Sequence, residues 1–248
     1  MIGNPILGRD GVARETGDYE LSLILDGLYY IEAKETCLKL VDADIHYAET
    51  ESRLKRINAE IAKIESRYER REDAYDDIES LCIQSEHGWQ EYQNAAAILI
   101  RGAATVHTLC ANCLEAHINI IAQKSLSGAK FAEFDKLSLY GKWLFYPQIL
   151  HIGTFDVGTE PLQGLALLIG IRNALVHFKG IKCRRESGFQ VPDFVERLKL
   201  RKQAAEKSLR TAHDLVSELA QMEKRDAPEW LNDDWGKAFL TVTPAFSF

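Results

Sequence analysis

The sequence predicts an all-α protein, and two observations carry that prediction. Helix-ending residues are sparse, since the 248 residues include only six prolines and sixteen glycines. Apolar residues also recur at steps of three and four over long stretches, which is the period of an amphipathic helix. No stretch shows the alternation of a half-buried strand. We therefore expect long helices packed as an antiparallel bundle, in one or two domains, since a chain of this length can bury a core.

The N-terminal third, residues 1–90, is expected to be a long helical extension. Residues 1–18 are interpreted as an irregular lead-in, and a helix is predicted to begin near Glu20. The charged stretch 42–81 has its apolar residues at steps of three, four and seven, on one seam. The members of the seam are Leu54, Ile57, Ile61, Ile64, Tyr68, Tyr75, Ile78 and Leu81. The seam predicts a long helix of coiled-coil character, paired within the chain or with a second copy.

Residues 91–225 are predicted to form the helical bundle. A helix rich in small residues is expected over 91–124 and is broken at 125–128, and a shorter helix over 137–150 ends near Pro147. Residues 161–178 are apolar on nearly every side, as in a central buried helix. Thr159 is its expected N-cap.

The end of the bundle is marked by capping signals. Gly180 suits a C-terminal cap of the apolar helix. Asp193 and Glu196 have the spacing of a capping box and predict a last long helix ending near Arg225. The tail 226–248 holds several aromatic residues, so it is expected to pack on the body or on a partner.

Charge is unevenly distributed. The net charge is −7, which argues against a general nucleic-acid binder. Residues 172–210 nevertheless carry eleven Lys and Arg against four acids, a local charge of +7. Such a segment would suit a phosphate backbone, although a solvated helix face is the alternative.

Composition also indicates a compartment. No stretch approaches the ~18–20 apolar residues of a transmembrane helix, and the N-terminus lacks the apolar core of a signal peptide. Five cysteines, an odd number, argue against a disulfide framework. We therefore expect a cytoplasmic protein with reduced thiols and no membrane contact.

Three polar residues stand together at the C-terminal end of the apolar helix: Arg172, Asn173 and His177. Buried unpaired polar groups are costly, so these residues must be paired or exposed at a site. Asn173 and His177 are four apart and share a face. Arg172 and His177 are about 140° apart around an ideal helix, so they would meet only if a second copy brought its own helix end into the same cleft.

The run Arg-Asn-Ala-Leu-Val-His resembles the R-x4–6-H signature of the HEPN superfamily, and the order of helices over residues 91–225 is similar to that of HEPN domains. The resemblance implies a homodimeric, metal-independent endoribonuclease with no cofactor. His177 would move the proton of the 2′-hydroxyl or of the leaving 5′-oxygen, and Arg172 would stabilise the transition state. Asn173 would position the histidine or the phosphate. The products would carry 2′,3′-cyclic phosphates, and the setting would be a defence, stress or toxin system.

Further residues follow from the same resemblance. Four basic residues are candidates for RNA binding: Lys179, Lys182, Arg184 and Arg185. Glu115 and Asn119 are possible auxiliary residues of the site, or plain hydrogen-bond partners. Some toxin members have a Tyr two residues after the histidine, which a partner enzyme modifies. Here Lys179 takes that position, so this form of antitoxin control is not expected, although another protein partner is compatible with the sequence.

Two alternatives remain open at this stage. The first is a non-catalytic HEPN-like scaffold that binds RNA, nucleotide or a protein partner, with Arg172 paired to an acid on the neighbouring helix, for example Glu115, and His177 capping its helix. The second is a metal site on the helix that carries His107, Cys110, Cys113 and His117, which fall on one side. Zinc ligands usually come from two chain segments, so we interpret these four as packed core residues and expect no metal.

Overall fold

The computed structural model describes residues 17–68, 71–177 and 198–231, and it confirms the all-α class. The described chain contains two short 3-10 turns, at Arg71–Ala74 and Glu229–Leu231, and no strand. Its α-helices are α1 (Gly17–Glu65), α2 (Tyr75–Ser125), α3 (Gly128–Phe134), α4 (Leu139–Ile149), α5 (Leu162–Val176) and α6 (Lys202–Met222).

The two longest helices, α1 and α2, form an antiparallel hairpin. Tyr47 and Tyr92 join their hydroxyl groups at 2.9 Å, and the Ser85 hydroxyl donates to Asn58 Oδ1 at 2.8 Å further along. Leu40 packs so closely over Gly102 that a Cβ there would lie 2.5 Å from its Cδ2. The hairpin is thus held by side-chain hydrogen bonds and by a leucine packed directly on the backbone of the other helix.

The predicted helix over the charged stretch 42–81 is wrong, because α1 ends at Glu65 and α2 begins at Tyr75. Residues of the apolar seam do pack together, but the chain reverses within the seam. Ile57 and Ile61 of α1 pack with Ile78 of α2. The seven-residue step from Tyr68 to Tyr75 spans the turn, and a heptad step in sequence cannot reveal that. The pairing of this seam is within the chain.

The helix predicted to start at Glu91 begins at Tyr75 and ends as expected at Ser125. The boundary placed between residues 90 and 91 therefore falls inside a continuous helix. Residues on both sides of the hairpin, such as Leu54 and Leu99, belong to one core cluster. The N-terminal extension and the bundle thus share their core.

The centre of the molecule is α2, which contacts α1, α4, α5 and α6. Leu99, Val106, Leu114 and Ile118 are fully buried along it. By length and composition α2 is apolar enough to cross a membrane, which corrects the expectation that no stretch is. The central helix of a protein core meets the same criterion, so this finding is weak evidence for a membrane span.

Helix ends follow local chemistry that the sequence only partly revealed. The predicted N-cap Thr159 is wrong: Pro161 is the N-cap residue of α5, and the Glu160 carboxylate accepts from the Gly164 N–H at 2.8 Å. The predicted caps Gly180, Asp193 and Glu196 lie outside the described residues. In the tail, Trp230 and Leu231 are buried in the core, which confirms that this part packs on the body.

Candidate functional site

The helix that carries the motif, α5, lies at the side of the bundle. Its Leu165, Leu168 and Ile171 are buried against α2, α4 and α6. Gly164 packs directly on Thr211 of α6 with no room for a Cβ. One stripe of α5 is therefore fixed firmly to the body.

The opposite stripe of α5 is exposed, so the prediction of a central buried helix is wrong. Within the described residues nothing covers Leu167, which is 42% exposed, or Val176, which is 61% exposed. A Cβ built on Gly170 would meet no atom within 4 Å. The exposed residues follow helical steps and are mostly small or apolar. We call this stripe the α5 face, and it consists of Ala166, Leu167, Gly170, Asn173, Ala174, Val176 and His177.

Arg172, Asn173 and His177 lie at the end of the α5 face. The half-buried Arg172 donates from Nη1 to Asn173 Oδ1 at 3.3 Å. His177 is the C-cap residue, and its backbone N–H donates to the Asn173 carbonyl at 2.9 Å. The imidazole of His177 is exposed. Asn173 thus ties the two candidate catalytic residues to each other through its side chain and its backbone.

The two auxiliary candidates on α2 have different surroundings. Asn119 Oδ1 accepts from Lys142 Nζ at 2.8 Å, and this lysine, only 4% exposed, also donates to Asp135 at 2.8 Å. Asn119 therefore stabilises a buried lysine of α4. Glu115 is half-buried one turn earlier and, in the described part of the chain, forms no ion pair with Arg172. The Arg172–Glu115 pair, given as an example for the scaffold alternative, is thus not formed there.

The basic candidates Lys179, Lys182, Arg184 and Arg185 lie outside the described residues. A basic feature that the sequence did not single out follows them. A cavity of about 330 Å³ at the start of α6 is lined by Asp44, Lys199, Arg201, Gln203 and Ala204. The Arg201 guanidinium lies over the ring of Tyr47, 4.6 Å from its centre.

The four residues of the metal alternative, His107, Cys110, Cys113 and His117, are core residues that face different neighbours. His107 is fully buried between Ser208 Oγ at 2.8 Å from Nδ1 and the Lys199 carbonyl at 3.0 Å from Nε2. Burial lowers the pKa of His107 and raises the pKa of the Cys110 and Cys113 thiols. Among the described residues no three His, Cys, Asp or Glu side chains are grouped to hold a metal.

His117 has a partner that sequence reasoning missed. Its Nδ1 lies 2.7 Å from Asp26 Oδ2, and both side chains are buried. The two residues are 91 positions apart, on α1 and α2. Only the folding of the hairpin brings them together, so no local signal could have revealed the pair.

Comparison of the chain with protein-family models, curated proteins and solved structures found no match. The resemblance to HEPN domains therefore rests on the residues from Arg172 to His177 and on the order of the helices.

Proposed function

We propose that the protein is a metal-independent endoribonuclease of HEPN type that acts as a homodimer on RNA. The observation that carries this proposal is the exposure of Asn173 and His177 at the end of an uncovered helix face, with the half-buried Arg172 guanidinium bonded to Asn173 Oδ1. A polar pair in this position has no evident role in packing. The expected setting is a cytoplasmic defence, stress or toxin system with a further protein partner.

The chemistry follows from the two side chains. His177 would take the proton from a ribose 2′-hydroxyl, whose oxygen then attacks the adjacent phosphorus. The 5′-oxygen leaves and takes a proton back from the His177 imidazolium, which gives a 2′,3′-cyclic phosphate and a 5′-hydroxyl. Arg172 would hold the non-bridging oxygens with its planar fork of donors as charge develops on them.

The arginine and the histidine of one site would come from different copies of the chain. Arg172 and His177 diverge by about 140° around α5, so one helix does not aim both at one phosphate. Two α5 faces meeting about a twofold axis would place two of each in one cleft. Gly170, Ala166 and Ala174 would allow the helices to approach closely, and Leu167 and Val176 would become buried.

RNA binding would use the basic segment that flanks the motif. Lys179, Lys182, Arg184 and Arg185 follow His177 directly, and Lys199 and Arg201 line the cavity at the start of α6. Cations of this kind bind phosphates without regard to sequence. They would supply affinity, and the motif would supply the chemistry.

The test is cleavage of a generic single-stranded RNA in EDTA. We expect wild type to cut and His177→Ala to lose at least about 100-fold in rate, because a positioned general base contributes that much. His87→Ala, which removes an exposed histidine of α2, is the matched control and should cut like wild type. Equal cleavage by the wild type and the His177 variant would refute the assignment.

A mixing experiment tests the shared cleft. Arg172→Ala and His177→Ala are expected to be inactive alone. If each site takes its arginine and histidine from different copies, mixed dimers of the two variants recover one complete site. Recovery of activity supports the cleft between copies, whereas no recovery in dimers shown to have exchanged argues for a site within one chain.

A second candidate function, a scaffold that binds a protein partner, is favoured by one separate observation. Leu38, Val41 and Ile45 lie at steps of three and four on α1 and are 65%, 37% and 54% exposed. An apolar stripe of this kind is typical of a binding surface. Failure of the wild type to cut any RNA would make the scaffold the better reading.

A further inference from the structure

A buried carboxylate–imidazole pair lies beneath the short turn Glu229–Leu231. Asp26 is 1% exposed and His117 is 3% exposed, with 2.7 Å between Oδ2 and Nδ1. Trp143 stacks on one side of the imidazole, and Trp230 contacts it edge-on with 5.7 Å between ring centres. The pair is thus closed in by two indole rings.

The hydrogen bonds fix which nitrogen of His117 is free. The Asp26 carboxylate accepts, so Nδ1 carries the hydrogen and donates to it. The other carboxylate oxygen accepts from the Gly27 N–H at 2.9 Å, which holds Asp26 in place. In the described part of the chain Nε2 is buried and has no hydrogen-bond partner. A buried polar atom in this state makes the closed arrangement costly.

The indole of Trp230 packs directly on Gly27, in a position that a larger residue at 27 would not permit. A Cβ at Gly27 would lie 2.9 Å from Trp230 Cγ, closer than side-chain carbons approach one another. The indole ring also packs on Tyr30, with 5.2 Å between ring centres. The Leu231 N–H bonds to the Pro228 carbonyl, within the same segment.

The chain that leads into the turn is exposed from Lys224 to Ala227. Displacing the turn would therefore break side-chain contacts and leave the α1–α2 hairpin intact. Segments with few backbone bonds to the body are those that open locally.

We propose that Glu229–Leu231 is a displaceable strap that controls access to Nε2 of His117. When Trp230 moves away from Gly27, water reaches Nε2 and supplies the missing hydrogen bond. This bond offsets part of the free energy that is lost with the apolar contacts of Trp230. An imidazole oriented by a carboxylate through Nδ1 is then a competent proton acceptor at Nε2. The strap keeps that base covered in the closed state, independently of the motif on α5.

The test is chemical modification of histidine in the full chain by diethyl pyrocarbonate at about pH 7.5, where ordinary imidazoles are neutral. Modification is read residue by residue by mass spectrometry. His107 is the internal reference, because it is fully buried with both ring nitrogens bonded. If the strap opens locally, wild-type His117 reacts at least about tenfold faster than His107, which reacts only through larger unfolding.

Variants of Trp230 and of Gly27, on which it packs, give the second readout. Trp230→Ala is expected to speed modification of His117 by a further tenfold or so and to leave His107 unchanged. Gly27→Ala should act in the same way by pushing Trp230 out, whereas Gly128→Ala, with no atom within 4 Å, is the matched control and should change neither rate.

The outcomes distinguish local opening of the strap from general unfolding of the protein. Equal rates at His117 and His107 in the wild type would overturn the proposal, since both would then need the same unfolding. A rise at both histidines in the variants would overturn it as well, because it would report general loss of stability. If circular dichroism shows that a variant does not fold, the wild-type comparison decides alone.

Discussion

The interface between α1 and α2 and the α5 face are both rich in apolar residues, but only the interface between α1 and α2 is covered. Leu40 and Leu99 are at most 2% exposed between the two long helices, whereas Leu167 and Val176 of α5 are 42% and 61% exposed. Glycines show the same contrast, since Gly102 is packed beneath Leu40 and Gly170 faces open space. Apolar composition therefore does not tell whether a helix is central. The uncovered α5 face is also where Asn173 and His177 lie.

The largest effect that would test this contrast comes from truncating one leucine in each region. Leu99→Ala should lower the free energy of unfolding by about 2–5 kcal/mol, because it leaves a cavity in a closed core. Leu167→Ala should change it by less than about 0.5 kcal/mol in dilute monomer. Urea unfolding followed by circular dichroism measures both. Similar losses in the two variants would mean that the α5 face is covered.

A smaller effect is expected from adding one methyl group to a glycine in each region. Gly102→Ala should destabilise the protein by about 1 kcal/mol, because the clash with Leu40 outweighs the better helix propensity of alanine. Gly170→Ala should stabilise the monomer by about 0.5–1 kcal/mol, since nothing opposes the propensity gain. The two changes thus have opposite signs in the same unfolding assay, and equal signs would contradict the contrast.

The smallest expected effect is a change of stability with pH, and it concerns only the α1–α2 hairpin, through His107. Burial lowers the pKa of His107 in the folded state below the ordinary value of 6.5. The unfolded chain therefore takes up a proton below that pH that the folded chain does not, and stability falls as pH falls from about 6.5. Between pH 7 and 5.5 the free energy of unfolding should therefore fall, because protonation of the unfolded chain favours unfolding. A shallower pH dependence in His107→Gln, measured by urea unfolding, supports this; an unchanged one refutes it.

The errors in predicting the fold had a common origin. The steps of three, four and seven from Leu54 to Leu81 identified some of the buried side chains, and Ile57, Ile61 and Ile78 are indeed packed together. They also included Tyr68 and Tyr75, which are 37% and 58% exposed. They did not show that the chain reverses, because the spacing continues from α1 into α2. Turn chemistry is weak there, since no glycine or proline marks the reversal.

Prediction of the site was limited in a similar way. Arg172, Asn173 and His177 could be singled out because their polarity ends a long apolar run. Their contacts could not be foreseen, since the Arg172–Asn173 bond depends on side-chain rotamers at a helix end. Asp26 carried no signal at all, because a single acid in an amphipathic helix is ordinarily solvated. The catalytic and RNA-binding roles stay predictions.

The sequence by itself determined the all-α class, the break after Ser125 and the polar motif at the end of α5, because these depend on residues close together in the chain. Tertiary structure alone decided that α2 is the central helix, that α5 leaves one apolar face uncovered, and that Asp26 meets His117 under Trp230. The physical reason is that local periodicity fixes which side of a helix is apolar. What covers that side depends on contacts between residues tens of positions apart.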